Sequence, residues 1–188
     1  MDVETTRSGD DLKLIERYLS GDEYAVEELV KKYQRKIYSL AFRMTNNVED
    51  SKDMTQKTFL QAIKNLKGFR RESTFHTWLY QIAYNTCLNH LRKKESKTIE
   101  VNDTIPSQSE GALSRAINKE KKTHLRESLE KLPLRQKTAI TLRVYEDLSV
   151  KETARIMSLS EGAVKAHYHH GMRKLREVLK KRGYEIES

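Results

Sequence analysis

Between Phe75 and Lys94, the run FHTWLYQIAYNTCLNHLRKK carries an indole, several amides and a guanidinium at helical spacing. At about 100° per residue, Trp78, Gln81, Asn85, Asn89 and Arg92 share one face. A face that meets only water is usually built from Glu and Lys. This set suits unpaired bases, because every base offers a π-face to an aromatic ring and a hydrogen-bonding edge to an amide. The opposite stripe is Phe75, Leu79, Ile82, Ala83 and Thr86, with His90 in line, and it would face a core. For Trp78 the plainer alternative is packing inward against a neighbouring helix, which would leave the amides incidental. A short basic loop, Gly68-Phe69-Arg70-Arg71-Glu72-Ser73, stands in front, and Ser73 or Thr74 is placed to cap the helix.

A second constellation lies near the C-terminus. Ser149-Val150-Lys151-Glu152 has the spacing of a capping box and opens a short helix to Met157. After the tight turn Ser158-Leu159-Ser160, a longer helix is predicted to about Lys181. Short helix, tight turn and longer basic helix make the layout of a helix-turn-helix, and Ala154 is small enough for a close crossing. Val164, Tyr168, Met172, Leu175 and Leu179 form a stripe for burial. The other face has Gly162, Ala166, His169, His170 and Arg173, flanked by Lys165 and Lys174. Small side chains near its start permit close approach to a major groove, and the cations suit phosphates. From Lys165 to Arg182 there are seven Lys or Arg against one acid, Glu177. A solvated basic helix in an ordinary bundle is the bland reading; the capped helix and short turn favour DNA.

Other chemistry is poorly supplied. Cys87 is the single cysteine, so no internal disulfide can form. It lies beside the apolar stripe and reads as a packing residue, with no identifiable base or oxyanion site. His167, His169 and His170 invite a metal, but no cysteine accompanies them and Tyr168 between them points inward, so none is expected. There is no phosphate-binding glycine loop. The chain is expected to be no enzyme and to need no cofactor.

The elements that must position these faces read as all-α. Lys, Glu, Leu, Arg and Ala abound, with two prolines and seven glycines in 188 residues. The net charge of +9 and pI near 9.5 point to a polyanionic partner. With 34% charged residues and mean hydropathy −0.79, any cores are small. No apolar run approaches about 18 residues and no signal-peptide hydrophobic region is visible, so a cytoplasmic protein with no direct membrane insertion is expected. Residues 1–10 read as loose. Helices are predicted from Asp11 to a stop at Gly21, with Leu12, Ile15 and Leu19, and over about 22–45, with Ala25, Leu29, Tyr33, Ile37, Leu40 and Met44 facing a core. A third restarts after Asn47 and sets Val48, Thr55, Phe59, Ala62, Ile63 and Leu66 on one side. Its more exposed flanks hold Glu49, Asp50, Asp53 and Gln56. Acids in the first turns suit the helix dipole; they could also form a docking face for a basic or polar partner helix. The stretch 95–116, with Pro106, Gly111 and no period, reads as a linker. Further helices are predicted over about 113–131 and from Pro133, a good first helical position, to about Tyr145.

Three stretches together, NNVEDSKDMTQKTFLQAIKNLKGF, STFHTWLYQIAYNTCLNHLRKK and LPLRQKTAITLRVYEDLSVKETARIMSLSEGAVKAHYHHGMRKLRE, resemble the extracytoplasmic-function (group IV) sigma factors of bacterial RNA polymerase, in the sigma-70 family. The run F-x-T-W-L-Y-x-I-A-x-N is the most specific part. The resemblance implies two small helical domains joined by a flexible linker: 1–95 as sigma region 2, 96–116 as the linker, and 117–188 as sigma region 4 with its helix-turn-helix. It implies an alternative sigma factor that binds core RNA polymerase through the β′ clamp helices and the β flap. Such a factor recognises and melts the minus-ten element, binds the minus-thirty-five element, and so meets promoter DNA both single-stranded and duplex. A cognate anti-sigma factor is implied as well. Carried over by motif, Glu49, Asp50, Asp53 and Gln56 would lie at the clamp-helix surface. Phe69, Arg70, Arg71, Ser73 and Asn85 would form the flipped-base pocket, with Trp78, Gln81 and Arg92 nearby. Ser160, Gly162, Lys165, Ala166, His169, His170, Arg173 and Lys174 would face the minus-thirty-five groove. Two features depart from the family pattern. Lys57 stands where the family often has Glu, and His167 and His170 stand where Arg is common, which leaves the minus-thirty-five consensus open.

Two other functions compete. A stand-alone helix-turn-helix regulator, with an N-terminal sensor or dimerisation bundle, would bind duplex DNA without polymerase. A nucleic-acid enzyme such as a recombinase fits worse, for want of a catalytic Ser, Tyr or carboxylate set. Binding to core polymerase separates the three.

Overall fold

The computed structural model describes residues 3–97 and 123–184, and every regular element within them is helical. The first half is built of α1 (Val3–Leu19), α2 (Tyr24–Thr45), α3 (Val48–Asn65) and α4 (Phe75–Lys97). Helix α1 begins at Val3, so the expected loose N-terminus is a correction: polar residues without proline extend a helix with no need of a buried face. Asp11 fixes α1 on α2. It is buried, yet Lys32 Nζ reaches it at 2.5 Å and the Tyr33 hydroxyl donates to it at 2.5 Å. The pair Asn46-Asn47 stops one helix and starts the next. Asn46 adopts the left-handed conformation with φ 51° and closes α2 through its N–H to the Phe42 carbonyl. Asn47 then caps α3, its side-chain oxygen accepting from the Asp50 N–H at 2.9 Å.

Helix α3 buries Ser51, Met54, Thr58, Phe59 and Ala62; of the predicted stripe Phe59, Ala62 and Leu66 are buried, Thr55 and Ile63 are half-buried, and Val48 is 44% exposed. The stripe takes in Ser51 and Thr58, two polar residues not expected in it, because their hydroxyls are satisfied one turn back, on the Asn47 and Met54 carbonyls. A 3₁₀ turn, Leu66–Gly68, leads to the 69–73 loop. Thr74, of the two candidates, caps α4, its hydroxyl accepting from the Thr77 N–H at 3.2 Å.

The second half holds α5 (residues 123–130), α6 (Leu134–Ile140), a π turn (Thr141–Tyr145), α7 (Val150–Met157) and α8 (Glu161–Lys181). Of the expected helix at 113–131 only the part from 123 is described, and nearly all of the linker falls outside the described residues. Pro133 precedes α6 as its N-cap, with φ −53° and ψ 142°, instead of opening the helix. The predicted helix to Tyr145 widens at Thr141, where the Glu146 N–H bonds back to the Thr141 carbonyl. Leu142 is thereby buried while Val144 and Tyr145 stay exposed. Helix α7 has the full capping box of Ser149 and Glu152, and Ser158 turns the chain with φ 53° into α8.

The two halves share one core. Leu79, Tyr80, Ala83, Tyr84 and Cys87 of α4 belong to the same buried cluster as Ala139, Leu142, Leu148, Ile156 and Met157. Helix α4 therefore packs on α2 and α3 on one side and on α7 on the other. A smaller cluster, Leu129, Leu132, Ile140, Leu175 and Leu179, lies within the second half. Polar contacts cross the seam. Arg43 pairs with Glu146 at 3.2 Å, and the Tyr80 hydroxyl donates to the same carboxylate at 2.6 Å. The Arg43 guanidinium also sits 4.2 Å from the Tyr145 ring centre. Lys137 and Arg126 serve the C-terminal end of α2 through the Met44 carbonyl and the Asn46 side chain, where cations complement the helix dipole.

Gly171 sets how closely α6 and α8 approach. A Cβ there would meet Ile140 Cδ1 at 2.8 Å and Gln136 Cβ at 3.2 Å. The Ile140 methyl is buried and Gln136 Cβ is fixed to its helix, so the helices must part. Gly171→Ala is expected to destabilise the protein by about 1–3 kcal/mol, as overpacking does. Urea unfolding followed by circular dichroism measures it, and an unchanged or raised midpoint contradicts the packing argument.

Candidate nucleic-acid and protein-binding surfaces

Helix α4 is buried along two stripes, which leaves a narrow outer one. Asn85, Asn89 and Arg92 are exposed on it, and Gln81 is half-buried beside them. Trp78 is half-buried, in a trio with Phe69 at 5.2 Å and Phe75 at 5.8 Å between ring centres. Both readings of the indole thus hold in part: one side packs, the other remains at the surface. The same trio anchors Phe69 and so the start of the basic loop. Arg70 is exposed; Arg71 has φ 59° and pairs with Glu16 at 2.7 Å. Ser73 is half-buried, and the Glu72 carbonyl accepts from Arg155 of α7 at 2.6 Å. An aromatic edge and two exposed arginines therefore meet at one loop, and the exposed amides of Asn85 and Asn89 continue along α4 from it. Cys87, on the buried side, is inert: burial pushes its thiol up to about 12.

In the helix-turn-helix, Ser160 caps α8 by accepting from the Ala163 N–H at 3.2 Å. Gly162, Lys165, Ala166, His169, His170, Arg173 and Lys174 are all exposed along one flank. Val164, Gly171, Leu175 and Leu179 are buried opposite them, with Tyr168 and Met172 half-buried. Arg173 approaches His170 Nδ1 at 3.5 Å. The flank has the small-then-cationic character that groove entry and phosphate contact require.

On α3 the four acidic and polar candidates divide. Glu49 and Asp53 are solvent-facing and partly neutralised along their own helix, by Lys52 at 2.9 Å and Lys57 at 2.7 Å. Asp50 turns toward α4 instead. Its side chain is 21% exposed, bonds Lys94 at 3.0 Å and lies 3.2 Å from His90 Nε2, within ion-pair range. Gln56 lines a groove of about 550 Å³ between α2 and α3, walled by Val30, Tyr38, Phe59, Leu60 and Ile63. Leu60 is 61% exposed there. That apolar groove was not anticipated from the sequence. The adjacent pair Phe59-Leu60 held the signal, since neighbours 100° apart on a helix cannot both point into one narrow core.

The chain matches the family models for sigma-70 region 2 over residues 29–97 and for sigma-70 region 4 over residues 123–175. It is 34% identical over 168 residues to the RNA polymerase sigma-H factor of Pseudomonas aeruginosa, covering 83% of this chain and 86% of that one. It is 32% identical over 179 residues to the ECF RNA polymerase sigma factor SigW of Bacillus subtilis, covering 89% and 96%. In structure it is similar to the sigma factor RpoE of Bartonella quintana in complex with the anti-sigma factor NepR. That match has a TM-score of 0.66 and 20% identity, covering 82% of this chain and 96% of that one.

The Asp50 tie has a pH signature. Partial burial pushes the carboxyl up, but Lys94 and His90 together outweigh this and hold it below the usual range. A lowered folded-state value gives stability that is present above the unfolded pKa, about 3.9, and is lost as pH falls through the folded value. Asp50→Asn is therefore expected to be less stable than the parent near pH 7, with the gap closing below about pH 4. Thermal unfolding of both proteins across that range checks it. A gap that persists unchanged at pH 3 would show that the tie is not electrostatic.

Proposed function

The chain belongs to the extracytoplasmic-function sigma factors of the sigma-70 family, and we propose that α3, α4 and α8 divide the work of promoter initiation among them. It is an alternative sigma factor, a transcription initiation factor. In this reading the domains are 1–95 and 117–188, joined by 96–116. The α2–α3 groove docks on core RNA polymerase, with Leu60 as apolar anchor, Gln56 in its wall and Asp53 one turn before Gln56 on the same helix. The 69–73 loop and Asn85 capture a base flipped from the minus-ten element, and α8 enters the minus-thirty-five groove. The observation that carries this best is the exposed strip of Asn85, Asn89 and Arg92 beside the Phe69–Trp78 aromatic edge. Flipping a base costs a few kcal/mol, and stacking on an aromatic surface returns about 1–3 kcal/mol. Such a pocket therefore shifts the melting balance without chemistry. A cytoplasmic location and an anti-sigma partner complete the reading; no described helix is long and apolar enough to cross a membrane.

The reading also demands a change of shape. Elements roughly 25 base pairs apart, at about 3.4 Å each, lie about 85 Å from one another. Helix α8, with 21 residues, spans about 30 Å. Two halves joined through one core cannot reach both elements, so they separate on the promoter.

Two experiments test this. Asp53→Lys combined with Leu60→Asp is expected to weaken core binding at least tenfold with native circular dichroism; undiminished binding removes the docking role. Asn85→Ala is expected to bind core normally, to fail on duplex promoter, and to recover partly on a template already unpaired across the minus-ten element. Lack of rescue removes the melting role. A stand-alone regulator would support no run-off transcription with core enzyme at all.

A further inference from the structure

Charges crossing the seam between the halves are mostly answered: Arg43 by Glu146, Arg126 by Asn46, Lys137 by the Met44 carbonyl. The exception lies at the far end of α4. There Arg92 meets Arg135 and Gln136 of α6 and His167 of α8 around a cleft of about 320 Å³. Its remaining walls are Leu88, Leu91, Pro133 and Leu134, so no acid lines it. Both guanidiniums act on the buried Tyr84 phenol, whose pKa burial raises while Arg135 and Arg92 pull it back, so they stand near one another. Like charges facing each other across a seam oppose its closure. Gln136 Oε1 is buried with no hydrogen-bond partner, a cost that a donor would remove.

We propose that this cleft binds a phosphorylated nucleoside, with phosphates bridging Arg92 and Arg135, the base against the apolar walls and the Gln136 side chain turning to present its buried Oε1 to a base N–H, and that the bound molecule clamps the two halves together. Planar guanidiniums suit phosphate oxygens in pairs. The apolar walls suit the face of a base, and the volume is at the small end of ligand pockets, about 300–1,000 Å³. An inorganic anion would use the arginines and leave both the walls and Oε1 unsatisfied. The polymerase groove claims none of these residues; Arg92 also borders the minus-ten strip, and His167 lies on α8, half-buried beside the exposed flank assigned to the minus-thirty-five groove.

The test uses the full chain with ATP, GTP and pyrophosphate as separate probes, read by thermal shift and by isothermal titration. At least one nucleotide is expected to bind saturably and to raise the melting temperature. Arg135→Ala should weaken it about tenfold or more. Gln136→Leu should weaken the nucleotide and spare pyrophosphate, whereas Lys36→Ala, an exposed cation on α2 with no part in any of these surfaces, should change neither. Absence of saturable binding overturns the proposal, as does equal loss with Lys36→Ala, which would mean diffuse attraction to a basic surface. Binding by a single-stranded oligonucleotide alone would assign the arginines to the DNA track and overturn it too. These arms stand whatever the promoter reading. A further arm rests on that reading: saturating nucleotide should hold the radius of gyration at its compact value and lower core-polymerase affinity, and Arg135→Ala should abolish both effects. An effect on core affinity that survives Arg135→Ala overturns the clamp.

Discussion

Glu146 carries a carboxylate into a place where its side chain is 8% exposed, and gives both oxygens to the other half of the molecule. Arg43 takes one and the Tyr80 hydroxyl the other; burial and then that carboxylate push the phenol far above its usual range, so it remains a donor. Taking two charges out of water nearly cancels their attraction, so the pair adds little net stability. Removing one partner, however, typically costs about 3–5 kcal/mol. Its effect is positional: with Glu146 held by Arg43 and Tyr80, the chain leading into α7 is tied to α2 and α4. The apolar contacts of Leu142, Ile156 and Met157 then follow from that placement.

The consequence for α4 is that it is central in both senses. Buried on two sides, it has one narrow strip left for polar residues, and that strip holds the amides and Arg92. Rigid backing on both sides also suits the task proposed for it, since a pocket for a flipped base must be preformed to be worth its cost. The loop before it gains the same support from Phe69, wedged between Phe75 and Trp78. Loop and strip are thus positioned by aromatic packing that lies within the first half alone.

Local signals in the sequence were read well where the chemistry is local. Asn46-Asn47 gives one residue tolerant of the left-handed conformation and one good cap; Ser149 and Glu152 form the capping box they imply. The helix-turn-helix flank follows from period alone. What escaped was set by distant residues. Tyr80 and Tyr84 look like surplus apolar residues on α4 until α7 arrives to cover them, and nothing near them in sequence announces α7. Asp50 looks like a surface acid until Lys94 and His90, on another helix, turn it inward. The groove at Leu60 depends on α2, whose Val30 and Tyr38 form its other wall. The stripe on α3 is legible at Phe59, Ala62 and Leu66 but not at Ser51 and Thr58, which are polar and buried.

The shared core also makes the halves unequal. Parted, the first keeps Ile37, Leu40, Met54 and Leu79 around its own centre, while the second is left with Leu129, Leu132, Ile140, Leu175 and Leu179. Leu142, Leu148, Ile156 and Met157 would return largely to water, each forfeiting up to about 1.5–3 kcal/mol of burial. So small a domain is marginal alone. Its folded population then depends on whatever holds it next, polymerase or duplex, and a ligand that binds only the folded form adds its binding free energy to stability. Under the role proposed for α8, binding to duplex and folding of the second half become a single linked equilibrium, so that salt, which weakens phosphate contacts, loosens the helix as well as its grip.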